Sequence, residues 1–528
     1  MRKIILLVIV LSINLTLMSQ EKRIQFHHDS IILLEQNISA IDSIKLDSAG
    51  NNIIINQINN TRALEINEID SITFLTSNAI YPYPFGQEAT NVTAEITIQL
   101  NDSTNIDDVT VDIPHLKYNK SWLFMLTQDD CLNSAFHQTW AAINGKPLSN
   151  YINSNNQKQN SYNIGQLLAG DFPPESYYLG KTLGITDGTG KEVRFKFTTT
   201  VYPEGCFMND NETINPGYTG NYNRFMKNNL IWGSVREIVN YENSIAFHDV
   251  NATDVHNVTD IYNHYLIVQD SIQLHLQNRG CKVLAEPNGN KDYVRAAYNY
   301  SSIQAMTAQN NSDSICSKEL YPYIDTTDLY QVLLKRYFIE PANIRTRVLT
   351  ELQKPKEQRE AVNIGVHTTD SSWVSLLIWL NDNYGKDGDD SLWFTSLEEY
   401  YEYNYYRIHS SITKTQINDS TIKLTINIPS GQYFYYPSIT VNVNGISNSQ
   451  IQNLTSNDAI TGLSYANYGN GVMINIDCRK FLLEHSTHYV EQYEGNSNSS
   501  NRADALYFTN QLKDSPQKTA LLNRINSK

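Results

Sequence analysis

The sequence has few charged residues and no run of basic ones. Charged residues make up 18% of the 528-residue chain, hydrophobic residues make up 41%, and the formal net charge is −15. This balance is typical of a folded chain rather than a disordered one. Nucleic acid is not an expected partner, because binding it needs a positive surface that replaces the phosphate counterions. A neutral or cationic polymer fits the negative charge better.

The cysteines form no recognisable metal or redox motif. The chain has five of them, and C-x-x-C does not occur. This spacing excludes a zinc ribbon or a dithiol redox site of the usual type. The sequence alone does not pair them. They are Cys131, Cys206, Cys281, Cys316 and Cys478.

A long apolar run occurs at the N-terminus. Arg2 and Lys3 precede an apolar stretch at 4–18, and polar sequence follows. This pattern predicts a cleaved secretory signal at residues 1–20, because the run is short for a spanning helix. No cysteine follows the run, so no lipid or membrane anchor is expected. The sequence therefore predicts a protein that is secreted, periplasmic or on the cell surface.

A short pattern repeats after the signal. Residues 41–46 and 69–74 both alternate apolar and polar residues, which is typical of half-buried strands. We therefore expect a small N-terminal β module at 21–80. The Y-P-Y-P sequence at 81–84 indicates a linker after it.

The central region, 95–408, alternates apolar strand patterns with helical ones. This order predicts an α/β fold with parallel strands and a long insertion at 140–240. Apolar residues at helical spacing predict a helix from Val258 to Leu276, with Gly280 as its C-cap. The predicted strands are 122–126, 192–201, 244–247, 282–285 and 363–366.

Beyond residue 411 the apolar residues recur at every second position. Such alternation occurs at 422–428, 439–443 and 472–476. It predicts a C-terminal β-sandwich at 411–500. The remaining residues, 501–528, are predicted to form a helical tail.

Four predicted strands of the central region end in polar residues of catalytic type. The carboxyl ends of parallel strands lie at one edge of a sheet, where functional groups gather. Taken singly, an aspartate at such a position is usually a cap, and a lone histidine is usually structural. The residues that follow the strands are Asp129 and Asp130; His248 and Asp249, with His256 further on; Glu286, Pro287, Asn288 and Gly289; and His367.

In this order the segments resemble the motifs of the polysaccharide deacetylases. The family begins with T-F-D-D-G after a strand, and T-Q-D-D-C occurs here at 127–131. A histidine pair, an R-x-P-x-G segment and a strand ending in histidine follow in the family. An aromatic stretch like that at 392–400 often comes last. The resemblance covers about 118–408 and implies an irregular (β/α) barrel that carries a metal-dependent hydrolase.

The resemblance also implies roles for individual residues. Asp129 would be the general base and His367 the general acid. A divalent metal, zinc, would be held by Asp130, His248 and His256. The substrate would be bound by Pro287, Asn288, Gly289 and an amide near Cys131. The chemistry is consistent, because such ligands leave zinc an open position for a reactive water.

The chain departs from the family motifs at three places. The two histidines are eight residues apart rather than four, so Asp249 and His264 are alternatives to His256. Ala285 replaces the arginine that usually accompanies the base carboxylate. The aspartate–tryptophan pair that supports the catalytic histidine is not found, although Asp325 and Asp328 lie in the corresponding interval.

Three functions follow from this reading. The first is a secreted deacetylase that removes N- or O-linked acetyl groups from a polysaccharide or oligosaccharide. The alternative is a non-catalytic glycan-binding protein on a degenerate deacetylase scaffold. A metal hydrolase of phosphate esters is disfavoured by the lack of an Arg or Lys cluster. Four tyrosines of the insertion are expected either to stack on sugar rings or to pack the insertion against the barrel. They are Tyr177, Tyr178, Tyr218 and Tyr222.

Overall fold

The computed structural model describes most of the chain and divides it into two compact units. The units are Met1–Tyr81 and Pro82–Lys528. The predicted signal peptide, Tyr218 and Tyr222 lie outside the described residues. The described residues are 22–28, 31–37, 41–57, 60–76, 83, 90–149, 176–202, 229–249, 255–309, 315–324 and 327–528.

The first unit is built from antiparallel strands. Its sheets have the orders β2-β1-β6 and β3-β4-β5. The sheets occupy the part of the chain predicted to be a small β module. The strands are β1 (Lys22–His28), β2 (Ile31–Asn37), β3 (Ile41–Leu46), β4 (Asn52–Gln57), β5 (Asn60–Glu65) and β6 (Ser71–Thr76). Its buried apolar side chains include Ile24, Phe26, Ile53 and Ile55.

The second unit contains parallel and antiparallel sheets together with the helices. The strands before residue 200 are β7 (Val92–Leu100), β8 (Thr110–Asp112), β9 (Trp122–Gln128), β10 (Leu148–Ser149), β11 (Ser176–Tyr177), β12 (Gly184–Thr186), β13 (Glu192–Arg194) and β14 (Thr198–Thr200). The later strands are β15 (Ser244–Ala246), β16 (Val283–Ala285), β17 (Ala305–Ala308), β18 (Leu333–Lys335), β19 (Val362–Val366), β20 (Leu392–Phe394), β21 (Ser411–Asn418), β22 (Thr421–Ile428), β23 (Ser438–Asn444), β24 (Ile451–Ser456), β25 (Gly462–Tyr468) and β26 (Gly471–Asp477).

Among the residues that the structure describes, the first α-helix follows β9. The α-helices are α1 (Ala141–Ile143), α2 (Trp232–Asn240), α3 (Val258–His275), α4 (Lys291–Ala297), α5 (Pro341–Leu352), α6 (Ser371–Tyr384), α7 (Leu397–His409), α8 (Leu482–Gly495), α9 (Ser499–Gln511) and α10 (Pro516–Asn526). A π-helix, Ala135–Trp140, runs directly into α1. Within the described ranges, every helix lacks the combination of length and apolarity that crossing a lipid bilayer requires.

Parallel strands form the part of the molecule that carries the predicted site. One sheet has the order β15-β14-β9-β19, with β20 also paired to β9, and a second has the order β16-β17-β18. Isolated parallel bridges join Phe247 to Leu284 and Tyr337 to Ile364, which link strands of the two sheets. The α/β class predicted from the sequence is therefore confirmed.

Strand β9 lies inside its sheet and is buried along its whole length. Every residue from Trp122 to Gln128 is buried. The strand pairs in parallel with β14, β19 and β20. At its end, the Asp129 N–H donates to Val366 O at 2.8 Å. This pairing brings the carboxyl ends of β9 and β19, and the polar residues that follow them, to the same edge.

Two four-stranded antiparallel sheets complete the unit. Their orders are β21-β22-β7-β24 and β25-β26-β23-β8. β7 and β8 precede the parallel strands in the chain but hydrogen-bond to strands beyond residue 420. This corrects the prediction that the α/β region begins at residue 95, because β7 belongs to an antiparallel sheet. The strands end at Asp477, and α8 occupies part of the range predicted as sandwich.

Two further predictions need correction. The predicted strand at 192–201 is two strands, β13 and β14, in different sheets. The chain between them turns Lys196 inward, where it forms ion pairs with Glu242 and Glu399. Gly280 is not the C-cap, because α3 already ends at His275. It is instead a point of close approach, since a Cβ there would lie 2.2 Å from the Tyr433 ring.

Candidate active site and metal centre

The two adjacent aspartates lie in a tight turn at the end of β9. Asp130 has φ 60° and Cys131 has φ 50°, a left-handed conformation that non-glycine residues rarely adopt. The Cys131 N–H donates to Thr200 Oγ1 at 2.9 Å, and Asn229 Nδ2 donates to Asp130 O at 3.2 Å. These hydrogen bonds hold the backbone turn. The side chains of the two aspartates, however, differ in their exposure to solvent. The side chain of Asp129 is 3% exposed and that of Asp130 is 43% exposed.

Asp129 is paired with an arginine that the sequence did not indicate. Arg336 is fully buried, and its Nη1 donates to Asp129 Oδ1 at 2.6 Å. Its Nη2 donates to Glu286 O at 2.7 Å. A buried carboxylate needs such a charged partner to stay ionised. Arg336 thus supplies the guanidinium that is missing at Ala285.

His248 joins the ends of two neighbouring strands. Its Nδ1 lies 2.7 Å from Ala285 O, which accepts a hydrogen bond from that nitrogen. The other nitrogen, Nε2, lies 3.4 Å from Asp130 Oδ1 and 4.0 Å from Asp129 Oδ2. Burial favours the neutral imidazole, but the charge of Asp129 and the hydrogen bond to Asp130 raise the pKa of His248 to about 8. The electrostatic potential at the His248 ring is therefore strongly negative.

The same contacts act on Asp130. Burial opposes its ionisation, but the hydrogen bond from His248 and the charges of His248, His367 and Arg336 lower its pKa below the ordinary value. Asp130 is therefore an anion over the neutral pH range. An anionic oxygen and an imidazole nitrogen thus face the same point.

Three side chains bring possible metal-ligand atoms close to one another. One ligand atom each from Asp130, His248 and Asp249 lies within 4.8 Å of the other two. Ligands of a tetrahedral zinc ion stand about 3.4 Å apart, since the bonds are about 2.0 to 2.1 Å long. The 3.4 Å between His248 and Asp130 already meets that spacing. The contact of Nδ1 with a backbone carbonyl is also typical of a metal-binding histidine. The donor set therefore fits a divalent ion.

His256 lies apart from this cluster. Its side chain is 67% exposed, and Nδ1 lies 3.3 Å from Asp292 Oδ2. Residues 250–254, which connect Asp249 to it, are outside the described ranges. His264 is buried on α3 beside Tyr265. Of the candidates for the third ligand, Asp249 is the one that the structure brings to the cluster.

His367 follows β19 and is exposed. Its ring lies 5.1 Å from the ring of Phe338, measured between centroids. Its carbonyl accepts a hydrogen bond from the buried Gln128 at 3.4 Å. Asp328, considered as its support, instead lies 2.9 Å from His409 Nε2. Asp325 is outside the described residues.

The Pro287–Gly289 segment turns sharply beside the cluster. Asn288 has φ 56° and Gly289 has φ 74°. Asn288 Nδ2 donates to Asp249 Oδ1 at 3.4 Å, which places this segment against the proposed ligands. The amide of Cys131 cannot bind an acyl oxygen without giving up its bond to Thr200. An oxyanion donor among the amides near Cys131 therefore stays a prediction.

The fold and the cluster together define an α/β protein with a carboxylate–imidazole site at the strand ends. A model of the family described as "Putative polysaccharide deacetylase" matches residues 94–526. The chain belongs to this family, and the match covers both the parallel and the antiparallel sheets. The family supports a deacetylase-like hydrolase function and a polysaccharide substrate. No curated protein matches the chain.

Proposed function

We propose that the chain is a secreted, metal-dependent deacetylase that removes N- or O-linked acetyl groups from a polysaccharide or oligosaccharide. The main support is the convergence of Asp130, His248 and Asp249 beside the Arg336-paired Asp129. The family match supports the same class of reaction. Secretion rests on the N-terminal sequence pattern.

Asp130, His248 and Asp249 would hold the ion, and zinc suits this mixture of oxygen and nitrogen ligands. His256 remains the alternative third ligand. When bound, the ion would make a water acidic and polarise the acetyl carbonyl. The Ala285 carbonyl would keep the His248 ring in the orientation that presents Nε2.

Asp129 and His367 would move the protons. Arg336 holds the Asp129 carboxylate in place beside the ligand Asp130, so Asp129 would accept the proton of the attacking water. The exposed imidazole of His367 would give a proton to the leaving amine or alcohol. Pro287, Asn288 and Gly289 would form one wall of the substrate site.

The finer architecture is also part of the proposal. The two parallel sheets would form an irregular (β/α) barrel, which is supported by the bridges at Phe247–Leu284 and Tyr337–Ile364. The two antiparallel sheets would form a β-sandwich, which is supported by the continuous buried cluster shared by their inward residues, including Ile96, Ile426 and Val441. The site would then lie at the barrel mouth.

The test is acetate release from a panel of acetylated glycans by the purified chain. Wild-type protein should release acetate, and Asp129→Asn should lose about 10²- to 10⁴-fold in kcat while it still binds zinc, since the base is removed and the ligands remain. Glycan binding without acetate release across the panel would contradict the deacetylase and favour the glycan-binding alternative.

A further inference from the structure

The segment Arg336–Phe338 lies between the two groups that are proposed to move protons. Arg336 is fully buried and donates hydrogen bonds to Asp129 Oδ1 and to Glu286 O. Its own backbone N–H donates to Ala308 O at 2.8 Å. The arginine is therefore held at its backbone and at its guanidinium, where the two hydrogen bonds orient it toward Asp129.

Phe338, two residues further on, contacts the histidine on the other side. Its ring centroid lies 5.1 Å from that of His367, with 36° between the ring planes. The guanidinium carbon of Arg336 lies 5.0 Å from the Phe338 centroid. A Cβ on Gly365 would lie 2.5 Å from two carbons of the Phe338 ring. The ring is therefore packed between Arg336, His367 and strand β19.

The backbone of Tyr337 holds the segment in place. The Tyr337 N–H donates to Asn363 O at 2.9 Å, and the Gly365 N–H donates to Tyr337 O at 3.0 Å. In the described part of the chain, no side chain hydrogen-bonds to the His367 imidazole. The contact with Phe338 therefore restrains the plane of the ring.

We infer that Arg336 and Phe338 are positioning residues, which hold Asp129 and His367 in register on opposite sides of the reacting group. The inference rests on the roles proposed above for those two residues. A charge-assisted hydrogen bond orients the carboxylate, and ring packing limits the rotation of the imidazole. Loss of either restraint should reduce kcat more than it changes KM, because misplaced groups act mainly in the transition state.

The first test replaces the arginine. Arg336→Met should lower kcat on an acetylated glycan about 100-fold, with KM within about twofold and zinc content unchanged. Arg336→Lys should recover part of the loss. The control is Arg194→Met, since Arg194 is also buried, lies over the Tyr507 ring and donates to Asp504, a residue with no proposed role in the site. Equal losses in kcat for the two Met variants, or no loss in folded Arg336→Met, would overturn the inference.

The second test displaces the aromatic ring and does not depend on turnover. Phe338→Leu removes the ring, and Gly365→Ala pushes it away by the clash described above. Both should move the His367 ring-proton NMR signals toward those of an imidazole without an aromatic neighbour and lower kcat about 10-fold. Unchanged signals in both variants would overturn the role of Phe338. If Arg336→Met does not fold, Arg336→Gln, which removes the charge but keeps hydrogen-bond donors, replaces it in the first test with the same expected loss of kcat.

The two proposals fail in different ways. If wild-type protein releases no acetate but the His367 signals respond to Phe338→Leu, the proposed function is wrong and the positioning contact is present. If wild-type protein is active and kcat does not respond to Arg336→Met or Phe338→Leu, the positioning inference is wrong and the function is retained.

Discussion

Asp129 and Asp130 are neighbours in the chain but face different partners. Asp129 is buried against Arg336, whereas Asp130 is partly exposed and faces His248. Two like charges side by side oppose each other's ionisation. Here a guanidinium accompanies one carboxylate and an imidazole the other. The division of labour between base and metal ligand is consistent with these separate surroundings.

The third metal ligand can be identified by comparing Asp249 with His256. Asp249→Ala should weaken zinc binding about 10- to 100-fold or more, because Asp249 lies in the cluster. His256→Ala should leave zinc binding within about twofold, since His256 contacts Asp292 instead. Zinc affinity is measured by competition with a chelator of known affinity. The opposite ranking would assign the third ligand to His256.

The turn that carries Asp130 depends on one hydroxyl. Thr200→Val leaves the Cys131 N–H without its acceptor and should lower the free energy of unfolding by about 1 to 2 kcal/mol. Thr199→Val is the matched control, because the buried hydroxyl of Thr199 has no hydrogen-bond partner among the described residues. Denaturant unfolding of both variants checks this. Equal destabilisation would show that the hydroxyl does not support the turn.

At the scale of secondary-structure elements, helix α7 has acidic side chains that are buried next to the parallel sheets. Glu399 is buried, with Oε1 2.8 Å from Lys117 Nζ and Oε2 2.9 Å from Lys196 Nζ. Burial opposes its ionisation, but the two lysines lower its pKa from 4.5 to about 2. This helix is therefore joined by charge to the segments that precede β9 and β14.

The pKa of Glu399 predicts how stability depends on pH. Because its folded-state pKa is depressed, its stabilising contribution is present above pH 4.5 and is lost as the pH falls toward 2. Glu399→Gln should cost about 3 kcal/mol at pH 7 and flatten the acid side of the stability profile. Unfolding measured between pH 7 and pH 3 checks both effects.

A surface carboxylate provides the control for this measurement. Glu494 pairs with Arg524 at 2.7 Å, but its side chain is 30% exposed. Glu494→Gln should change stability by less than about 1 kcal/mol, because solvent screens an exposed pair. If the two variants lose the same stability, the buried pair at Glu399 has no special contribution.

The sequence predicts long elements better than short ones. The apolar run at Trp122–Leu126 and the helical spacing beginning at Val258 were sufficient to predict β9 and α3. β17 and β18 span four and three residues, too few to show a period, and they were missed. Arg336 follows β18 and lies 207 residues from Asp129 in sequence. No local pattern connects two residues at that separation, so the partner of the base required a structure.

The candidate site shows the same limit. The residues directly after β9 and β15 were predicted because a strand pattern ends at each of them. The choice between Asp249 and His256 could not be made from spacing, since it depends on the path of the loop between them. Phe338 was missed because an aromatic residue beside a short strand resembles any other core residue.

On the scale of the whole molecule, the parallel and antiparallel sheets of the second unit share one buried apolar cluster. It includes Ile96 and Ile98 of β7, Leu123 of β9, Ile422 of β22 and Val441 of β23. Strand β7 pairs on both edges with later strands, β22 and β24. The α/β part and the antiparallel sheets are therefore expected to fold as one unit.

Two fragments test this expectation. Residues 95–408 lack both partners of β7 and should show no cooperative thermal transition. Residues 82–528 correspond to one compact unit and should unfold in a single transition close to that of the longer chain. Circular dichroism and calorimetry provide the measurement. A cooperative transition in fragment 95–408 would show that the antiparallel sheets are dispensable.

The central claim is that acetyl removal depends on a divalent ion at Asp130, His248 and Asp249. The most direct measurement is the rate of acetate release while metal-free protein is titrated with zinc. The account predicts no release without zinc and a rate that rises linearly and saturates at one zinc per chain, whereas Asp130→Ala shows no such saturation. Acetate release at the full rate from metal-free protein, or none at full zinc occupancy across the acetylated glycan panel, would contradict it.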